Sequence, residues 1–171
     1  MTTTALYDAE TGLPGRGLLT DRLLMALRGA ERTGHEVGLV LLELTSIEHE
    51  DAATGTPDVL SEVLQEVAER LSACIRGVDS VGRLGPTTFA LVLQGEVGEE
   101  GIRTLARRVL FELSPPILTG LRQHFVTARL GGTFAVPGLD DPRSMLRRAG
   151  VALDQARQPD AELFVLHDTG D

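Results

Sequence analysis

The apolar spacing predicts an α/β domain of the α+β kind, with a central mixed, largely antiparallel sheet of about five strands flanked by helices. Helix-period and strand-like runs follow one another in the order α, β, α, β-β, α, β, α, β, which combines a hairpin with helical crossovers. One pair of strand-like runs is joined only by Gly85-Pro86-Thr87, short enough to force antiparallel pairing. The 171 residues, 42% of them hydrophobic, suit one core and one folded unit, read as residues 7–167 between tails at 1–6 and 168–171.

Taken in order, Leu18, Leu19, Leu23, Leu24 and Leu27 recur at helical spacing after Pro14-Gly15 and predict a helix over residues 17–32, broken by Gly34. Val37 to Leu44 is apolar almost without alternation, as expected of a central strand covered on both faces. Residues 46–57 are small and polar and read as a connection. Val59, Leu60, Val63, Val67, Leu71 and Ile75 then mark a second helix over 58–76, with Gly77 as its stop. The hairpin strands are Ser80–Leu84 and Thr88–Leu93. A third helix over 99–113 ends before Pro115-Pro116, residues 114–123 form a loop, and His124–Phe134 is a strand with Gly131-Gly132 inside it. A fourth helix over 142–157 and a closing strand, Leu163–Leu166, complete the chain.

Charge and composition narrow the function. An excess of 25 acidic over 16 basic residues gives a net charge of −9, which repels phosphate backbones and argues against nucleic acid as a partner. The single Cys74 cannot form an internal disulfide and offers no cysteine-based metal framework. The N-terminus has neither a basic segment nor an apolar core, and no apolar run approaches the ~20 residues that cross a bilayer, so the expectation is a cytoplasmic protein without membrane contact.

The run Asp8-Ala-Glu-Thr-Gly-Leu-Pro-Gly-Arg16 resembles the D-x-L-T-G-L-x-N-R opening of GGDEF domains, the diguanylate cyclase family, and departs from it at Glu10 and Gly15. The likeness continues through the first helix, the apolar strand, the hairpin from Val81 to Leu93, the strand Val126–Gly132 and the helix Leu146–Leu153. It implies the nucleotidyl-cyclase-like fold of that family. In active members the hairpin turn carries Gly-Gly-Asp/Glu-Glu-Phe, where glycines admit the nucleotide and acids handle metal and the attacking hydroxyl. Here the turn reads Gly85, Pro86, Thr87, Thr88, Phe89. Proline adds a ring and fixes φ where close approach is needed, and the threonines lack the hard anionic oxygens that hold Mg²⁺. In the second acidic run, Glu43 is the remaining weak metal candidate, Glu48 stands where the family has a phosphate-facing Lys, and Asp51 replaces the guanine-reading Asn. The expectation is therefore a domain that is not an enzyme, has no catalytic residues and needs no metal or other cofactor.

Upstream of the hairpin, Arg76 and Asp79 match the family's R-x-x-D product-binding site in residue type and spacing. The resemblance implies that Arg76 grips base and phosphate of cyclic di-GMP, that Asp79 accepts from the guanine edge, and that Arg103 and Arg107, four apart on one helix face, assist. A surface ion pair at a helix end explains Arg76 and Asp79 equally well. Glu48-His49-Glu50-Asp51 reads as a solvated acidic loop before a metal site. His35, His124 and His167 have no adjacent Cys or Ser to activate, and Arg147-Arg148 reads as a solvated basic face. The leading expectation is a catalytically inactive regulatory domain that binds cyclic di-GMP and engages a protein partner or a second copy. A nucleotide-independent scaffold and a domain with residual GTP binding or cyclase activity are the alternatives.

Overall fold

β1 (Glu36–His49) is apolar on both faces because helices cover both. Its Val40, Leu42 and Leu44 point with Phe89, Leu91 and Leu93 of β3 (Thr88–Gly95) toward α2 (Pro57–Cys74) and α3 (Gly98–Leu113). Its Val37, Leu39 and Leu41 point with Ala90 and Val92 toward α1 (Arg16–Thr33) and α4 (Pro142–Ala156). Strand period and helix period thus meet in two apolar layers, and each fully buried Leu contributes about 1.5–3 kcal/mol. The computed structural model describes residues 5–50, 56–136 and 138–167.

The remaining strands are β2 (Ser80–Arg83), β4 (Ile117–Thr119), β5 (Arg122–Phe134) and β6 (Phe164–Leu166). Five strands run in the order β2-β3-β1-β5-β4, all antiparallel, and β6 lies parallel beside β5. The mixed, largely antiparallel sheet flanked by helices is the architecture expected from the apolar spacing. Among the described residues no helix is long and apolar enough to cross a membrane.

Helix ends follow local chemistry. Gly34 closes α1 in the left-handed conformation at φ 73°, its N–H bonded to the Ala30 carbonyl. Thr56 and Pro57 start α2, and a reciprocal Asp141–Ser144 capping box with Pro142 starts α4.

Three boundaries differ from the sequence expectation. β1 does not stop at Leu44: after an irregularity between Leu44 and Ser46 it continues to His49, paired throughout with β5. The segment 114–123 is not all loop, because Ile117–Thr119 pairs with Arg122–His124 across a two-residue turn at Gly120-Leu121. α2 ends at Cys74 rather than Arg76, since Ile75 is already extended, so Gly77 is not the stop.

Candidate functional site

The hairpin turn between β2 and β3 is fastened from below by Arg83. Its Nε donates to the Gly85 carbonyl (3.1 Å) and its Nη2 to the Pro86 carbonyl (2.6 Å). Its Nη1 meets Asp8 Oδ2 at 3.0 Å and Glu10 Oε1 at 2.8 Å. Asp8 also accepts from the Thr11 N–H and hydroxyl at 2.8 and 2.6 Å, and Glu10 accepts from Ser61 at 2.8 Å. Burial raises the Asp8 carboxyl, but the bonds from Thr11 and Arg83 outweigh it and hold it below its ordinary value. The opening motif therefore acts as a clamp on the turn, and Glu10, one of its two departures from the family pattern, adds the second carboxylate.

Across the sheet, Glu43 of β1 sits between Thr88 of β3 and Arg129 of β5. Its carboxylate forms an ion pair with Arg157, the residue just beyond α4, and Arg157 also meets Asp154 at 2.7 Å. Arg129 donates to the Ala161 carbonyl (3.2 Å), tying the chain after α4 to the same place. Glu43, the weak metal candidate of the sequence, is thus already neutralised by a guanidinium. Mg²⁺ takes six oxygen ligands in octahedral geometry and is held by one or two unpaired carboxylates together with substrate phosphates and water. The donors offered here are one paired carboxylate and neutral hydroxyls, so the residues do not fit a Mg²⁺ site. Among the described residues no three His, Cys, Asp or Glu side chains converge. Glu48 is exposed opposite Phe125, and Asp51 lies outside the described residues.

The second region lies on the far side of the hairpin, where a groove of about 320 Å³ separates the end of α2 and the end of β3 from α3. Arg76, Asp79, Glu96, Glu100, Thr104 and Arg108 line it. The Arg76 side chain is 61% exposed, while that of Asp79 is only 2% exposed. Asp79 faces inward: Oδ2 accepts from the Arg76 N–H (3.0 Å) and Oδ1 from the Gln94 N–H (3.1 Å). Arg76 reaches over it, Nε at 3.4 Å from Oδ2 and Nη2 donating to the Gln94 carbonyl (2.8 Å). Asp79 therefore ties the turn after α2 to the end of β3 and positions Arg76, with both oxygens already satisfied by backbone.

The helix arginines divide differently from the sequence expectation. Arg103 pairs with Glu99 (2.8 Å) and lies 6.0 Å over the Phe164 ring, and Arg107 pairs with Glu100 (2.6 Å). Both line a depression beside β6, not the Arg76 groove. The residue turned into the groove is Arg108, which donates to the Cys74 carbonyl at 3.3 Å. The apolar stripe Ile102, Leu105, Ala106, Val109 separates the two flanks of α3, and only their packing decides which flank meets Arg76.

Two further findings concern basic and aromatic nitrogen, and the first corrects the sequence expectation. Arg148 is not part of a solvated face. It grips Asp140 through two bonds, one of 2.9 Å, and reaches Thr133 Oγ1 (3.1 Å) and the Phe134 carbonyl (2.7 Å). His124 has a companion that strand register alone supplies: its Nδ1 lies 2.7 Å from Nδ1 of His49. Cys74 is buried, and burial pushes its thiol up, away from reactivity.

Comparison with known proteins places these features in context. The family model described as "Diguanylate cyclase, GGDEF domain" matches residues 5–162. The chain is 32% identical over 129 residues to the bifunctional diguanylate cyclase/cyclic di-GMP phosphodiesterase MucR of Pseudomonas aeruginosa, covering 74% of this chain and 18% of that protein. It is 24% identical to the diguanylate cyclase DgcS of Shewanella oneidensis, covering 99% of this chain and 55% of that one. The chain thus spans about a fifth to a half of the length of these relatives. Among solved structures, the GGDEF domain of DgcB from Caulobacter crescentus, in complex with c-di-GMP, superposes with a TM-score of 0.80 at 19% identity, 98% of each chain being covered. Diguanylate cyclase SiaD of Pseudomonas aeruginosa, in complex with its activator SiaC, gives 0.81 at 25% identity, over 95% of this chain and 62% of that one.

Proposed function

We propose that this chain, which belongs to the GGDEF-domain family of diguanylate cyclases, is a non-catalytic regulatory module that takes cyclic di-GMP in the groove at Arg76 and Arg108. The observation that carries the non-catalytic part is the Glu43–Arg157 ion pair with Thr88 alongside. Phosphoryl transfer from GTP needs a cation to neutralise charge developing on the phosphates. Here the chain's own guanidinium takes the Glu43 carboxylate beside the turn, and Arg83 pins the turn that bears Pro86.

The ligand part rests on the exposure of Arg76 and on Arg108 beside it. Each offers a planar fork suited to phosphate and to the acceptor edge of guanine. Asp79 contributes by holding Arg76 in place rather than by reading the base, and Arg103 and Arg107 fall outside the ligand set. A bound dinucleotide would bridge this surface to a second copy or to a partner protein. The protein's reading as a nucleotide-independent scaffold draws on Glu96, an acidic residue that lines the same groove and opposes an anionic ligand.

Isothermal titration separates the two. Cyclic di-GMP should bind, and Arg76→Ala or Arg108→Ala should weaken it by about 10- to 100-fold, the worth of hydrogen bonds to charged groups. Absence of heat from the intact protein discards the receptor reading and leaves the scaffold. Turnover of labelled GTP with Mg²⁺ or Mn²⁺ discards the non-catalytic one.

A further inference from the structure

The distal end of the sheet, away from both regions described above, holds a chain of three side chains on three strands. His49 on β1 and His124 on β5 are direct cross-strand partners, with Nδ1 to Nδ1 at 2.7 Å and rings edge-to-face at 78°. The other nitrogen of His124, Nε2, lies 2.6 Å from the Thr119 hydroxyl on β4. His124 is fully buried, while His49 is partly open to solvent.

A hydrogen bond between two Nδ1 atoms accommodates one proton and no more. With both imidazoles neutral, one Nδ1 carries it and the other presents its lone pair. One added proton can be accommodated on the Nε2 of His49, which is outside the Nδ1–Nδ1 contact, and leaves that bond intact. A second must sit on the remaining Nδ1, where two N–H groups then face each other at a distance that fits one hydrogen. Burial and the neighbouring His49 charge delay this step at His124 to below the ordinary imidazole range. Among the described residues, the charged groups that bear on His124 besides His49 are Arg122 on β5, which opposes protonation, and Glu50 just past β1 and Glu62 on α2, which favour it. β4 contributes only the hydroxyl of Thr119.

We propose that His49, His124 and Thr119 form an acid-opened latch: one shared proton holds the distal ends of β1, β5 and β4 together, and double protonation releases the β4–β5 hairpin. The sheet there is easily parted. β4 is a strand of three residues at the edge of the sheet, and among the described residues its neighbour is β5 alone. Opening exposes backbone beside Leu118 and Leu121, which are already exposed at the tip.

The test is amide hydrogen exchange of residues 117–126, corrected for intrinsic rates, between pH 7 and 4.5, alongside ring ¹⁵N NMR of the four histidines. The open state binds one more proton than the closed one, so local opening should rise by about tenfold per pH unit below the ordinary imidazole range. In His49→Asn the amide can turn its oxygen to a protonated His124 and the neighbouring imidazolium charge is gone, so the rise in exchange with acid should become shallower, with only the burial of His124 left to drive it. The latch is overturned if the intact protein shows no pH-dependent opening of this hairpin, or if His49→Asn opens to the same extent. Should that variant misfold, the ring spectra decide. His124 must take its proton after His49 and together with the rise in exchange, and titration of the two rings independently of each other overturns the proposal.

Discussion

Gly131 of β5 supports the seat of α4, and the effect of adding one methyl group there can be worked out from the structure. A Cβ at position 131 would lie 2.1 Å from the Leu153 nitrogen, 2.6 Å from the Ala149 oxygen and 2.7 Å from the Ala152 carbonyl carbon. All three are backbone atoms of α4, so no rotamer change relieves them. Restoring an ordinary contact of about 3.4 Å requires the helix to retreat by roughly 1.3 Å. That withdrawal loosens Met145, Ala149 and Leu153 from the layer they share with Leu39, Leu41 and α1. Overpacking costs about 1–3 kcal/mol when side chains can yield, so Gly131→Ala should reach about 3 kcal/mol or more, a large share of a domain's stability. Gly132 is the control. The three atoms nearest a Cβ there are side-chain atoms, two on the Phe164 ring edge from 3.0 Å and Ile102 Cγ2 at 3.3 Å, so a displacement of a few tenths of an ångström restores ordinary contact without moving a backbone. Relief of the strand-glycine penalty offsets part of that strain, so Gly132→Ala should cost about 1 kcal/mol or less. In urea, with an m-value of about 2 kcal/mol/M, the first midpoint falls by about 1–2 M and the second by about 0.5 M or less. Equal shifts for the two variants would refute the close seating of α4 on β5, and with it the reason Arg157 arrives at Glu43.

Two other outcomes follow from the buried charges. Arg148→Met leaves Asp140 without its counter-charge and should lower stability by about 3–5 kcal/mol in the same urea assay, with Arg148→Met/Asp140→Leu recovering part of it. The Asp140 carboxyl is raised by burial but brought below its ordinary value of 3.8 by Arg148, the Val136 N–H and Ser144, and Asp8 is likewise lowered. A depressed folded value means that the contribution is fully present above about pH 4 and is lost as pH falls through the lower folded values. The slope of stability against pH in that acid window should shrink in Asp140→Asn, read from denaturant midpoints at a series of pH values.

Periodicity made the four helices and the long strands legible because each buries a continuous face. What it missed was held by pairing rather than by pattern. Ile117–Thr119 follows two prolines and is only three residues long, so nothing local marks it as a strand apart from its partner Arg122–His124. Thr45 to His49 lacks the apolar run of the residues before it, and β5 rather than composition extends β1 through them. At the candidate site, Arg76 and Asp79 were legible from type and spacing, yet the direction of the Asp79 carboxylate was not, since it depends on the Gln94 N–H of another strand. Arg103 and Arg107 matched in register, but the helix presents Arg108 to the groove. Arg157 is far from Glu43 in sequence, and His49 is far from His124, so only the fold brings them together.

The pairing of Arg157 with Glu43 gives the altered turn its physical sense. Had Thr87 and Thr88 been acids, the carboxylates gathered around Glu43 would repel one another unless a cation stood among them. With hydroxyls in their place the repulsion is gone, and one partly buried carboxylate remains that needs a single counter-charge. A guanidinium at the end of α4 supplies it, held also by Asp154 and set in position by the close packing of α4 on Gly131. Arg83 does the same for the turn itself, bonding the Gly85 and Pro86 carbonyls and drawing its own balance from Asp8 and Glu10. Changing the turn back to acids would therefore not rebuild a cation site by itself, because Arg157 would still compete for Glu43. The non-catalytic reading rests on this set of mutually compensating charges, spread over the turn, β1 and the end of α4.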